Sequence, residues 1–176
     1  MTTYHSMPPA SALRRDFIYN PESGVLRWNY RADVPKEVNT RFAGVVVGYR
    51  SLTGLQVRYN GTLYMVHRLI YVIIYGDCLG VEDEVDHADL NNYNNRPNNL
   101  RKATRTQNMA NREAQRNSKT GIKGVGLLPN GTWRVRIDNT HLGCFKTKEE
   151  AAAVYRAAAT QIYGKFGRGT SLQKQI

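Results

Sequence analysis

The 176-residue chain is short of cysteine, short of acid and without a long apolar run. Its two cysteines, Cys78 and Cys144, stand 66 positions apart with no C-x-x-C around either. That spacing argues against a disulfide framework and against a zinc knuckle, so a reducing setting and no structural zinc are expected. Nothing reaches the roughly 18 apolar residues that a membrane span needs. The best stretch, 63–75, is shorter and is interrupted by His67 and Arg68. The opening Met-Thr-Thr-Tyr-His-Ser lacks the basic-then-apolar layout of a secretory signal. The expectation is a cytoplasmic, unsecreted protein with no membrane partner.

Acid is scarce relative to base. Fourteen Asp and Glu face 25 Lys and Arg, a formal charge of +11. Such a balance points to a polyanion, nucleic acid above all, with a merely basic soluble protein as the alternative. The charge is uneven. Residues 1–85 carry +1, 86–95 carry −2 through Asp86 and Asp89, 96–123 carry +7, and 124–176 carry +5. A small acidic, Asn-rich island thus precedes the most basic stretch. Carboxylates weaken phosphate binding unless a cation sits between, so the island is where a metal ion is expected.

The hydrophobic pattern divides the chain. Residues 1–15 show no periodicity and read as a flexible tail, as do 170–176. From Asp16 the chain reads as short strands: one leads out of the turn Asn20-Pro21-Glu22-Ser23-Gly24, one covers 44–49, and one covers 55–59. In the last, Leu55, Val57 and Tyr59 alternate with polar residues, the period of a half-buried strand. Asn60-Gly61 joins it to 62–66 as a hairpin signal, because both central residues of a type I′ turn need positive φ. Residues 67–75 suit a short buried helix ended by Gly76. A strand at 84–87, a polar loop and a helix over 105–116 follow, the last behind a capping box from Thr104 to Gln107. Residues 117–121 read as a linker. Beyond it, three strands (122–128, 132–138, 141–145) and a helix from Thr147 to Gly164 form a separate pattern.

Four residues are candidates for chemistry: Asp86, His87, Asn99 and Asn108. Cutting a phosphodiester needs a base near neutral pH and a cation for the charge that develops on phosphorus. Histidine suits the first task, with an ordinary pKa of about 6.5. A neighbouring carboxylate and a neutral amide oxygen from a helix suit a hard divalent ion. On spacing alone, a polar surface loop is an equal reading.

The stretch Val85-Asp86-His87, the Asn-rich loop, Asn95-Arg96-Pro97-Asn98-Asn99-Leu100-Arg101 and Gln107-Asn108 closely resembles the HNH motif of phage-type homing endonucleases. Asp86 to Asn99 is thirteen positions and Asp86 to Asn108 is twenty-two, both as in that motif. The resemblance runs from about residue 16 to 116 and includes Val66-His67-Arg68-Leu69 upstream. It implies a ββα-metal core over 80–116, with His87 as general base, Asp86 and Asn108 as metal ligands, and Asn99 bracing the His87 loop. It also implies one divalent metal, Mg2+ with Mn2+ as a substitute, and hydrolysis leaving 5′-phosphate and 3′-hydroxyl ends. A single such site cuts one strand per engagement, so a monomer that nicks double-stranded DNA is expected. Leu90 departs from the pattern where relatives often have a turn glycine. His67 is expected to be structural.

In 133–137, Trp133, Val135 and Ile137 fall on one face and Arg134 and Arg136 on the other. Exposed arginines there suit either a solubility face or a major groove, where Arg pairs bidentately with guanine. Ile122-Lys123-Gly124-Val125, Trp133-Arg134-Val135-Arg136-Ile137, His141-Leu142-Gly143-Cys144-Phe145 and Glu149-Glu150-Ala151-Ala152 resemble the APETALA2-like DNA-binding domain, over about 118–169. That resemblance implies Lys123, Arg134 and Arg136 as groove-facing readers. Arg96, Arg101, Arg105 and Arg112, in the basic stretch, are expected to grip DNA.

The chain therefore reads as an α+β protein: a strand-rich N-terminal module, the HNH core (together 16–116), and a three-stranded antiparallel sheet packed on one helix (122–169). Its expected function is a metal-dependent DNA endonuclease of the HNH homing type. The alternative is a DNA-binding regulator with an inactive HNH core.

Overall fold

A computed structural model describes residues 6–114 and 118–167. It is mixed α and β, with helices and several small antiparallel sheets, and divides into two compact units, Met1–Arg105 and Thr106–Ile176. Among the described residues no helix is long and apolar enough to cross a membrane.

The first unit begins with α1 (Ala10–Asp16), where the sequence pattern reads as tail. Leu13 is fully buried in it and Ala10 nearly so. Seven residues offer too few turns for a periodic signal, and the helix is held by tertiary contact, with the Ala10 N–H on Asp77 Oδ1 at 2.6 Å. Strands β1 (Phe17–Asn20) and β2 (Val25–Trp28) pair antiparallel around the expected turn. The polar stretch that follows holds an unforeseen helix, α2 (Lys36–Phe42). It lacks an apolar stripe because only Asn39 is buried. Asn39 ties it down by polar bonds instead, accepting from Arg31 N at 2.9 Å and donating to Arg31 O at 2.6 Å.

The strand expected over 44–49 is reduced to one bridge, Val46 with Arg27, before β3 (Tyr49–Ser51). Gly48 separates the two at φ 96°. A Cβ there would lie 2.8 Å from Val66 and 2.9 Å from Gln56 O, so the chain bends at the one residue that fits. Strands β4 (Gly54–Tyr59) and β5 (Thr62–Met65) form the expected hairpin, with Asn60 at φ 47° and Gly61 at φ 78°. Helix α3 (Val66–Tyr75) buries Val66, Leu69, Ile70 and Val72 and ends at Gly76. These side chains make one core with Leu13, Phe17, Leu26, Val47, Val57, Tyr59, Val85 and Leu100. Strands β6 (Glu84–His87) and β7 (Leu100–Ala103) pair antiparallel, Asp86 opposite Arg101 and His87 opposite Leu100.

The second unit opens within α4 (Arg105–Asn111), which is shorter than the helix expected to reach 116; residues 112–114 are not helical, and 115–117 lie outside the described residues. The division falls between Arg105 and Thr106 rather than in the linker expected at 117–121. Residues 118–121 are bound into this unit, since the Thr120 hydroxyl donates to Val125 O at 2.7 Å. Strands β8 (Val125–Leu127), β9 (Trp133–Ile137) and β10 (Thr140–Phe145) form one antiparallel sheet with β9 central. Helix α5 (Lys148–Tyr163) starts in a capping box between Thr147 and Glu150 and ends at Gly164. Its buried face is Ala151, Ala152, Tyr155, Ala159 and Tyr163; the alanines let it lie close to the sheet. The tail expected at 170–176 lies outside the described residues.

Candidate active site

Strand β6 breaks the alternation of a half-buried strand. Val85, Asp86 and His87 are all buried, Asp86 and His87 each only 4% exposed. Burying two polar side chains costs several kcal/mol unless each finds a partner, and here each does. The β6–β7 register sets Arg101 across from Asp86, and its guanidinium reaches Asp86 Oδ2 through Nε at 2.8 Å and Nη2 at 2.7 Å. His87 Nε2 lies 2.9 Å from Asn95 Oδ1, a residue only 2% exposed.

The loop from Ala88 to Asn99 is held from within. Asn99, buried just before β7, accepts the Asp89 N–H at 2.9 Å on Oδ1. Its Nδ2 donates to Asp89 Oδ1 at 2.9 Å and to Asn94 O at 2.7 Å. Asp89 also accepts from Asn91 N and Asn94 Nδ2. Burial pushes the Asp89 carboxyl up, but the hydrogen bonds from Asn94, Asn91 and Asn99 outweigh it and hold the group below the ordinary carboxylate range. Asp89, half of the acidic island, is thereby a loop clamp. Leu90 sits at φ 66°, the left-handed conformation in which a glycine is relaxed, so the loop keeps the turn that the departure from the motif put in question.

Helix α3 supplies the flank. His67 packs edge-on against the His87 ring, centroids 4.9 Å apart at 75°. Burial, then the neighbouring His87 and Arg68, depress His67 to about 3, so it stays a neutral ring. Arg68 donates to Asp83 O and pins the approach to β6, while Lys102 pairs with the Asp83 carboxylate at 2.7 Å.

The structure thus brings Asp86, His87 and Asn99 together within the first unit. Asn108 lies on α4, in the second unit, half-buried. Two residues expected to contact DNA are engaged within the protein. Arg101 is ion-paired to Asp86 in place of facing solvent. Lys123, expected as a reader of the groove, donates to Met109 O and, at 3.1 Å, to Ala110 O, capping the carbonyl end of α4 where a cation is favoured. Arg96 is exposed but its Nε holds Glu22 O at 2.6 Å. Arg105 and Arg112 are exposed, as are Arg134 and Arg136 on β9, where Val135 and Ile137 point inward. Asn95 was missed; its neighbours Asn91, Asn92, Asn94, Asn98 and Asn99 make it one asparagine among many, and only burial singles it out.

The donor chemistry fits a hard divalent ion in part. Asp86 offers a buried carboxylate oxygen, and Mg2+ is commonly held by one or two carboxylates together with substrate phosphate and water. Among the described residues no cluster of three His, Cys, Asp or Glu side chains surrounds it.

Residues 64–110 match the family model described as HNH endonuclease. The matched HNH segment contains Asp86, His87, Asn99 and Asn108 and leaves out β1 and β2. The chain is also similar to an uncharacterized HNH endonuclease of Acanthamoeba polyphaga mimivirus, 31% identical over 122 residues. That similarity covers 67% of this chain and 63% of the relative, so the chain spans less than two thirds of that protein's length. No solved structure matches.

Proposed function

We propose that the chain is a metal-dependent DNA endonuclease of the HNH homing type that nicks one strand of double-stranded DNA at a preferred site. The observation that carries the reading is the buried pair on β6, a carboxylate and an imidazole at successive positions, each with a fixed partner, inside the HNH segment. His87 takes a proton from the water whose oxygen bonds to phosphorus, the bond from phosphorus to the 3′ oxygen breaks, and that oxygen takes up a proton from solvent, leaving 5′-phosphate and 3′-hydroxyl ends. Asp86, and by motif spacing Asn108, would hold one divalent ion, Mg2+ or in its place Mn2+. When bound, that ion supplies positive charge for the phosphate and the departing oxygen. Arg101, now on Asp86 Oδ2, balances the carboxylate until a cation does so. Asn99 keeps the loop in shape without touching substrate.

The second unit is proposed as an APETALA2-like reader in which Arg134 and Arg136 meet base edges and Arg112 a phosphate; Arg96 and Arg105, in the first unit, are proposed as further phosphate contacts. Lys123 is left out of this set because α4 engages it. The protein is proposed to act as a monomer, in the cytoplasm of an infected bacterial cell.

The test is supercoiled plasmid with Mg2+. Wild type should convert it to open circles, and His87→Ala should slow this by about 100-fold or more, the usual size of a lost general base. If wild type leaves the plasmid closed with every divalent ion tried, the chain is a DNA-binding protein with an inactive core.

A further inference from the structure

Three contacts tie the loop that carries Asn95 to the β1–β2 hairpin, more than 70 positions earlier in the chain. The Tyr19 hydroxyl, on β1, donates to Asn95 O at 2.8 Å. Arg96 Nε donates to Glu22 O in the hairpin turn at 2.6 Å. Gly24, at φ 73°, lies so close that a Cβ would be 2.9 Å from both Arg96 N and Asn95 C. The turn is itself rigid, since Asn20 Oδ1 accepts the N–H groups of Glu22 and Ser23 at 2.9 and 3.0 Å. Behind Asn95 stands His87, with the neutral His67 ring against it.

We infer that Asn95 and Tyr19 are positioning residues for His87, and that the β1–β2 hairpin, outside the matched HNH segment, is part of the active-site scaffold. The inference rests on the reading of His87 as general base. An amide oxygen only accepts, so Asn95 Oδ1 keeps the proton of the neutral ring on Nε2. The lone pair is then on Nδ1, which is the atom that receives the proton from water. Tyr19 holds the Asn95 backbone so that its side chain cannot swing away. Burial pushes the Tyr19 hydroxyl up to about 12, and it remains a donor throughout the neutral range.

The experiment uses the full chain with 15N-labelled histidine. The ring-nitrogen shifts of neutral His87 should report the Nε2–H tautomer in wild type and in Asn95→Asp, whose carboxylate also only accepts. Asn95→Ala should show a mixture of tautomers. In single-turnover nicking of supercoiled plasmid with Mg2+, Asn95→Ala should lose about 10- to 100-fold in rate with KM within about 2-fold, the scale typical of a lost orienting partner. Tyr19→Phe should lose less and in the same parameter. A merely structural Asn95 would lower the melting temperature and leave the tautomer alone. The proposal is overturned by Nδ1–H in wild type, by loss of Nε2–H in Asn95→Asp, or by Asn95→Ala nicking as fast as a competent wild type. A wild type that never nicks removes the nuclease reading itself, and is told apart because no variant is then needed to see the failure.

Discussion

At the scale of single residues, the candidate site is marked by polar side chains where apolar ones are the rule. Asp86, His87, Asn95 and Asn99 are all buried, and every one is spoken for by a hydrogen bond or ion pair. Arg101 shows how a residue's work depends on its neighbour: its charge, counted along the chain, reads as a grip on DNA, whereas the strand register delivers it to a carboxylate. His67 gives a pH prediction. Its pKa falls from 6.5 to about 3 on folding, so between those values the unfolded chain binds a proton that the folded chain refuses. Its share of stability is complete above pH 6.5 and drains away as the pH falls towards 3, by about 2 kcal/mol between pH 7 and pH 5. Urea melts at the two pH values should show wild type losing more than His67→Gln. Equal losses would mean that the ring accepts its proton in place.

At the scale of elements, signals carried by local geometry came through and those carried by contact did not. Asn60-Gly61 and the ends of α5 at Thr147 and Gly164 act over a few residues and lie where local chemistry puts them. Helices α1 and α2 are seven residues each, too short for a 3.6-residue period to show. In the second unit the chain enters β8 through Gly124, at φ 71°, where a Cβ would come within 2.3 Å of Arg136 O and the Tyr155 ring. Gly124→Ala should therefore destabilise this unit by about 2–4 kcal/mol, combining a left-handed strain with overpacking against backbone. The chain has two tryptophans, so a Trp28→Phe background makes Trp133 the reporter of the sheet. Its denaturant midpoint should drop with Gly124→Ala, and an unchanged midpoint would show that Tyr155 moves aside freely.

At the scale of the whole molecule, charge separates by unit: residues 1–105 carry +3 and residues 106–176 carry +8. On the proposed DNA-cutting reading, a polyanion is drawn chiefly to the second unit, while the buried carboxylate and imidazole lie in the first. Arg134 and Arg136 stand exposed on β9, and a bidentate contact to a base is worth about 1–3 kcal/mol of discrimination. Arg134→Ala should weaken binding to a preferred duplex about 10-fold in gel-shift titrations. Nicking of excess random plasmid should change less than about 3-fold. Parallel loss in both assays would count against a separate reading surface.

What the sequence by itself determined is what short range can encode: the strand period of 55–59, the type I′ hairpin, the ends of α5, the net charge of +11, and the Asp86–His87–Asn99–Asn108 spacing. Each depends on residues near one another in the chain or on sums over it. Only the tertiary structure decided which asparagine touches His87, where the Arg101 and Lys123 charges are engaged, and that a hairpin centred on Asn20–Gly24 braces a loop at Asn95. Those outcomes turn on burial and on meetings between distant segments. A buried polar group must find whichever partner the packed core brings within reach.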